Sequence, residues 1–214
     1  MKVLITGANR GIGAALAEGY RRAGADVVAT ARKAGAGLSP LDVTDPRSVR
    51  ASAGALAGGA LDLLVCNAGV YPKGRETLAD GYPPEDWAET LAVNVTGVFL
   101  TIQALLPNIR KARGKIAIIS SVMGSQANAP GGNYIYRASK AAAVNLGRNL
   151  AADLRAEGIA VGIYHPGWVR TDMGGSGADI DVATSASGLI GRFAALGPAT
   201  TGCYEDYAGR AIPL

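Results

Sequence analysis

In 214 residues the chain has only two cysteines, one histidine, two tryptophans and two phenylalanines. Cys66 and Cys203 lie far apart and show no CxxC or Cys/His spacing, so neither a disulfide framework nor a metal site is expected. A reducing compartment is favoured. His165, the lone histidine, stands at an expected strand end before Pro166 and reads as structural; no Ser-His-Asp machinery can rest on another. No uninterrupted apolar run approaches a membrane span. No secretory leader is expected in "MKVLITGANRGIG", which enters a strand-like segment and then glycines. Charge of one sign is also scarce: the net charge is only +4. The densest basic cluster, "RKARGK" at 110–115, falls at an expected helix C-terminus, where cations oppose the negative helix end. These absences lead to the expectation of a soluble, cytoplasmic chain with no nucleic-acid or membrane partner.

What is present is Ala, Val, Leu and Ile, with 30 glycines spread throughout. Short β-branched runs at 2–6, 25–30, 38–41, 61–66, 115–120, 160–165 and 203–206 read as strands. Helical patterns fall between them at 11–23, 46–57, 84–112, 135–157 and 183–195. Such alternation argues for parallel βαβ units and a sheet covered on both faces. No repeat, linker or composition break divides the chain, so residues 1–214 are expected to form one domain. Two polar, Gly/Pro-rich loops, 67–83 and 171–182, each follow a strand. In an open parallel sheet that places them at the ligand side.

"VLITGANRGIGAALAEGY" couples a buried strand to a glycine turn (Gly7, Gly11, Gly13) and an alanine-rich helix. Glycine lets the backbone approach a pyrophosphate, and the helix offers free N–H groups and a positive end. The reading is a nucleotide site; the alternative is a merely tight strand–helix turn. The second strand ends "VVATARKAG", with Arg32 and Lys33 where an NAD site carries an acid. Arg10 adds charge inside the turn. An arginine fork suits a 2′-phosphate, so NADPH is expected over NADH, against the alternative of solvated loop charges.

Tyr136 and Lys140, four residues apart, share a helix face. A lysine cation beside a phenol favours phenolate and lowers its pKa, making it a proton donor or acceptor for a carbonyl–alcohol pair. Tyr134 has Ala138 at the same offset and gains no such help. Ser121 ends the strand "GKIAIISS" within reach of the same oxygen. Asn94 is a polar residue inside a β-branched helical stretch. Taken singly, Ser121 also reads as a cap, Asn94 as a helix kink and Tyr136 as packing.

Together these residues resemble the short-chain dehydrogenase/reductase family over nearly the whole chain. "TGANRGIG" is similar to its TGxxxGxG turn, "LDVTD" to its adenine-contacting segment, "CNAG" to its NAG strand end and "HPGWVRT" to its PGxxxT segment. Asn94, Ser121, Tyr136 and Lys140 match its Asn-Ser-Tyr-Lys tetrad. "PGGNYIYRASK" and "HPGWVRTDMGG" resemble the C-factor-like and sniffer-like carbonyl reductases, and the sniffer-like members use NADPH. The resemblance implies a doubly wound Rossmann fold with a mostly parallel seven-stranded sheet. It implies cofactor contacts from Gly7, Asn9, Arg10, Gly11, Ile12, Gly13, Arg32, Asp42, Val43, Asn67, Ala68, Gly69, Tyr136 and Lys140. Pro166, Gly167, Val169 and Thr171 would contact the nicotinamide end. Tyr136 would be the acid–base, Lys140 would depress its pKa and hold the ribose, Ser121 would orient a carbonyl, and Asn94 would hold a relay water.

Ser121 precedes Tyr136 by 15 residues, a longer spacing than in many members, and Tyr134 sits nearer the usual distance. "ANAPGGN" is expected to absorb the difference. Cys66 replaces an asparagine of the commoner NNAG. The short segment after Thr171 implies a reduced lid and an open site. Trp168 and Tyr71 read as pocket lining or packing. The function expected is NADPH-dependent reduction of an aldehyde, ketone or quinone. The rivals are an NADP(H)-binding signalling protein with weak catalysis and an alcohol dehydrogenase working oxidatively. A homodimer or homotetramer through helices 84–112 and 135–157 is expected.

Overall fold

Apolar side chains leave each central strand on both sides, and each side meets its own pair of helices. The computed structural model describes residues 1–35, 37–72, 77–79 and 81–214. In β1 (Lys2–Ile5), Leu4 joins one core with Leu64, Ile116, Ile118 and Val161. Val3 and Ile5 join the other with Leu63, Val65 and Ala117. Strands buried on both faces need no polar alternation, which is why β4 (Leu63–Cys66), β5 (Lys115–Ile119) and β6 (Ala160–His165) read as apolar runs. β2 (Asp26–Ala31), β3 (Ser39–Pro40) and β7 (Tyr204–Asp206) complete a seven-stranded sheet in the order β3-β2-β1-β4-β5-β6-β7. Every pairing of these strands is parallel.

On one face α1 (Gly11–Arg22) and α6 (Val182–Ala195) pack together, burying Leu16, Ala17, Tyr20, Ala186, Leu189 and Phe193. On the other lie α4 (Gly97–Ala112) and α5 (Tyr134–Leu154), which bury Val98, Ile102, Leu105, Ile109, Ala143 and Ala151. The short α2 (Pro46–Ala55) packs against α4; Pro46 opens it, and Asp45 accepts a bond from the Arg47 N–H at 2.9 Å. This is the α/β, doubly wound arrangement expected from the alternation.

The helix expected at 84–112 is continuous but not uniform. α3 (Pro84–Leu91) passes through a π turn, Ala92–Thr96, before α4 begins. Over its whole length, Pro84–Ala112, this helix is long and apolar enough by composition to cross a membrane. Its α4 half lies against the sheet, which supplies an apolar partner for Ile102, Leu105 and Ile109. Of the polar loop expected at 67–83, residues 73–76 and 80 lie outside the described residues.

Strand order reverses beside β1, which has β2 on one side and β4 on the other. A crevice at such a switch point opens beyond the strands' C-terminal ends. The glycine turn after β1 and the Asn67 segment after β4 both stand there.

Candidate active site

The two turns at the switch point are locked together. The Thr6 hydroxyl accepts from the N–H groups of Asn67 and Ala68 at 3.0 and 2.9 Å. The Asn67 amide donates to the carbonyls of Thr6 and Gly7 at 2.9 and 3.0 Å. Gly7 has φ +64, and a Cβ there would stand 2.8 Å from the Ala68 Cα. A Cβ on Gly13 would stand 2.4 Å from the Gly7 carbonyl oxygen and 2.5 Å from the Asn67 amide nitrogen. Gly13→Ala is therefore expected to break the Asn67 bond and overpack the turn, costing about 1–3 kcal/mol. Thermal unfolding should fall by several degrees, at roughly 2–4 °C per kcal/mol for a chain this size. An unchanged Tm would show that the turn has room.

Asn9, Arg10, Gly11 and Ile12 line the start of α1. Among the described residues no side chain caps this helix, and its first turn has no acidic residue. Free N–H groups thus face the crevice from which Arg10 projects. The Arg10 guanidinium is paired with the Asp172 carboxylate, so the glycine turn touches the loop after β6; a Cβ on Gly11 would also meet the Thr171 methyl at 3.4 Å. Arg32 and Lys33 are exposed just beyond β2. The Asp42 carboxylate accepts from the Thr44 N–H and hydroxyl at 2.9 and 2.7 Å, which holds it below the usual carboxylate range. Val43 is buried against α4, where a Cβ on Gly97 would meet it at 2.8 Å.

Asn94 sits in the middle of the π turn and is 1% exposed. Its carbonyl oxygen accepts from the Val70 N–H at 2.9 Å, and its amide donates to the Val70 carbonyl and the Ser139 hydroxyl, both at 3.0 Å. The side chain is thus committed to the segment after Gly69 and to α5. π turns recur at functional sites because they displace one residue from the helical register.

On α5, Tyr136 is half-buried, with the Lys140 Nζ 5.5 Å from its ring centroid. The Lys140 amine is buried, donates to the Ile119 carbonyl at 3.0 Å and is pushed down by burial to about 8. The Tyr136 phenol is pushed up, chiefly by burial, with smaller contributions from the Tyr71 and Tyr204 hydroxyls; the neighbouring Ser121 hydroxyl pulls the other way. This corrects the expectation that Lys140 lowers the Tyr136 pKa. The spacing does bring the two side chains together, but desolvation of the phenol, not the lysine, sets the direction of the shift. Tyr136 is a protonated acid at neutral pH. The Ser121 hydroxyl accepts from the Met123 N–H at 3.2 Å, the turn cap that was the alternative reading, and it also interacts with Tyr136.

Tyr134 lies elsewhere. It is exposed and packs edge-on against Tyr82, with ring centroids 5.1 Å apart. The extra length before α5 is taken up by Gly131, Gly132 and Asn133, all at positive φ.

The segment after β6 carries Pro166, Gly167, Val169 and Thr171. Gly167 has φ +88, and a Cβ there would strike Ile180 at 2.5 Å. Val169 is buried and bridges Ile180, closing a compact loop onto α6. The Thr171 hydroxyl accepts from the Gly174 N–H at 3.1 Å, and the exposed Trp168 donates to the Gly174 carbonyl at 2.8 Å. His165 is pushed down to about 4 by burial and stays neutral at physiological pH.

Sequence reasoning missed the groups that hold these side chains. Ser139 supports Asn94, Thr6 ties the two turns, and Tyr204 on β7 donates to the Ser121 carbonyl. Tyr71, read from the sequence as pocket lining or packing, packs edge-on against Tyr136 at 4.7 Å. Ser139 stands three residues after Tyr136 on the same helix face, a signal that was open to reading. Tyr204, 83 residues from Ser121, left no local signal.

The family model for short chain dehydrogenase matches residues 1–179. The chain is similar to C-signal of Myxococcus xanthus, 38% identical over 167 residues, covering 77% of this chain and 99% of that protein. Among solved structures, NADPH bound carbonyl reductase from chicken fatty liver superposes with a TM-score of 0.90 at 31% identity, covering 100% of this chain and 98% of the other. Carbonyl reductase Sniffer of D. melanogaster superposes with a TM-score of 0.92 at 28% identity, covering 100% and 99%.

Proposed function

This chain belongs to the short-chain dehydrogenase/reductase family, and from that premise we propose that it reduces a carbonyl of an aldehyde, ketone or quinone to an alcohol, using NADPH. The observation that carries the reading is the Tyr136 phenol. It is held protonated by burial beside the Ser121 hydroxyl, with a lysine amine 5.5 Å from its ring.

The crevice fits a dinucleotide. Gly7 and Gly13 leave no room for a Cβ, so the turn presents backbone to a pyrophosphate above the uncapped start of α1. Asn9, Gly11 and Ile12 belong to that turn. Arg10 and Arg32 would take the 2′-phosphate, Asp42 and Val43 the adenine, and Asn67, Ala68 and Gly69 the adjoining ribose. Pro166, Gly167, Val169 and Thr171 would line the nicotinamide. When bound, the nicotinamide supplies the hydride. Ser121 and Tyr136 would orient the substrate oxygen by hydrogen bonds, and Tyr136 would then give that oxygen its proton. Lys140, charged below about 8, would hold the nicotinamide ribose and stabilise the phenolate left behind. Asn94 would brace Val70 and Ser139 around the site.

The test follows NADPH and NADH absorbance with a panel of aldehydes, ketones and quinones. Turnover with NADPH is expected. Arg32→Ala should raise KM for NADPH about tenfold or more and leave that for NADH alone, since a charged hydrogen bond contributes ~1.5–3 kcal/mol. An unchanged ratio would return Arg32 to the role of a solvated loop charge. A second reading, an NADP(H)-binding signalling protein with weak catalysis, draws on the similarity to C-signal. Tight NADPH binding with no turnover of any carbonyl would favour it. We place the whole chain in one cytoplasmic domain that forms a homodimer or homotetramer through helices 84–112 and 135–157, a surface supported by the exposed Phe99 on α4.

A further inference from the structure

We propose that Tyr71 is a positioning residue for Tyr136, an inference that rests on Tyr136 as the proton donor proposed above. Tyr71 follows β4, two residues beyond the Gly69 that closes the NAG segment. It touches the start of α5 in two places. Its hydroxyl donates to the Asn133 side-chain carbonyl. Its ring lies edge-on to the Tyr136 ring, centroids 4.7 Å apart at 61°.

The first contact explains an oddity in α5. Asn133 is the residue before the helix, where an asparagine ordinarily turns its side chain onto the first free N–H groups. Here it has φ +50 and makes no such bond. Its oxygen faces Tyr71 instead, so the helix start is tied across the crevice to the segment after β4. Tyr136 lies three residues further, under the same tyrosine's ring. One side chain thus fixes both the helix end that carries the acid and the ring of the acid itself. The other groups acting on the phenol are Ser121 and Tyr204 from β7, and the Lys140 amine of its own helix lies over the ring. Among these, Tyr71 comes from the segment that also bonds Asn94 through Val70. The Tyr71 hydroxyl also helps to hold the phenol protonated.

A residue that merely lined the substrate pocket would act on substrate KM. A positioning residue acts on kcat. Tyr71→Phe keeps the ring and removes the bond to Asn133, so the fold is retained. It is expected to lower kcat about fivefold, the loss of one ordinary hydrogen bond, with KM for NADPH unchanged. Asn133→Ala should lower kcat similarly, and the double variant should be no worse than either single one. In NMR spectra of isotope-labelled tyrosines, the ring signal that disappears in Tyr136→Phe should move or broaden in Tyr71→Phe. A change confined to carbonyl KM, additive kcat losses, or an unmoved Tyr136 signal would overturn the proposal. If the wild type turns over no carbonyl, the proposed function fails instead, and the spectra alone decide the role of Tyr71.

Discussion

Tyr136→Phe is expected to bind NADPH like the wild type and to lose carbonyl turnover by about 10²–10⁴-fold, the range that a positioned acid contributes. Removing one oxygen leaves the ring in place, so its edge contact with Tyr71 and the burial of α5 survive. The loss should therefore fall on kcat, with Tm changed little. The companion change, Tyr134→Phe, should have no such effect, because Tyr134 packs on Tyr82 at the surface. Activity retained in Tyr136→Phe and lost in Tyr134→Phe would reverse the assignment. Burial raises the phenol above its ordinary range, so Tyr136 stays protonated across neutral pH. Reduction consumes that proton, and no decline with rising pH in the neutral range should originate at this residue.

The parts of this site that could be read early are those fixed by local spacing. Short β-branched runs alternating with helical patterns already argued for a sheet with helices on both faces, and Leu4 in one core with Val3 and Ile5 in the other is that arrangement in β1. Gly7, Gly11 and Gly13 between a strand and a helix announced a backbone approach, and the Cβ clashes at Gly7 and Gly13 give it a physical cause. Tyr136 and Lys140 share a face because a helix repeats every 3.6 residues. What stayed hidden depends on partners far along the chain. The π turn needs Val70 and Ser139 to bond Asn94, and propensity marked only that Asn94 was out of place. Tyr71 reaches Asn133 across 62 residues. The direction of the Tyr136 shift was hidden for another reason. Spacing tells which charge is near a phenol, whereas burial, set by the whole fold, decides whether that charge prevails.

Burial likewise governs the largest change expected at Lys140. Lys140→Met keeps the length and apolar stem of the side chain and removes its charge. Carbonyl reduction should drop by about 10²–10³-fold, as when a group stabilising a developing anion is deleted. Stability should behave quite differently. Folding lowers the Lys140 pKa from 10.5 to about 8, so at neutral pH the buried cation opposes folding by ~3 kcal/mol. Between about 8 and 10.5 the unfolded chain still holds a proton that the folded chain has released, so this group makes the wild type more stable as pH rises. Below that window the penalty is constant. The variant lacks both the penalty and the bond to the Ile119 carbonyl, whose loss costs about 1–3 kcal/mol. The two offset, leaving Tm within a few degrees at pH 7. Cys66, pushed up to about 12, and Tyr136, also raised, shift stability the opposite way above about 9. Both are present in each protein, so the difference between wild type and variant isolates the lysine. That difference should move in favour of the wild type from pH 8 to 10 in thermal or denaturant melts. If it stays flat, Lys140 titrates as an exposed lysine, and its proposed change of charge near pH 8 is wrong. Reduction by the wild type should also decline above about pH 8, where the folded protein loses the cation beside Tyr136, and Lys140→Met should show no such limb.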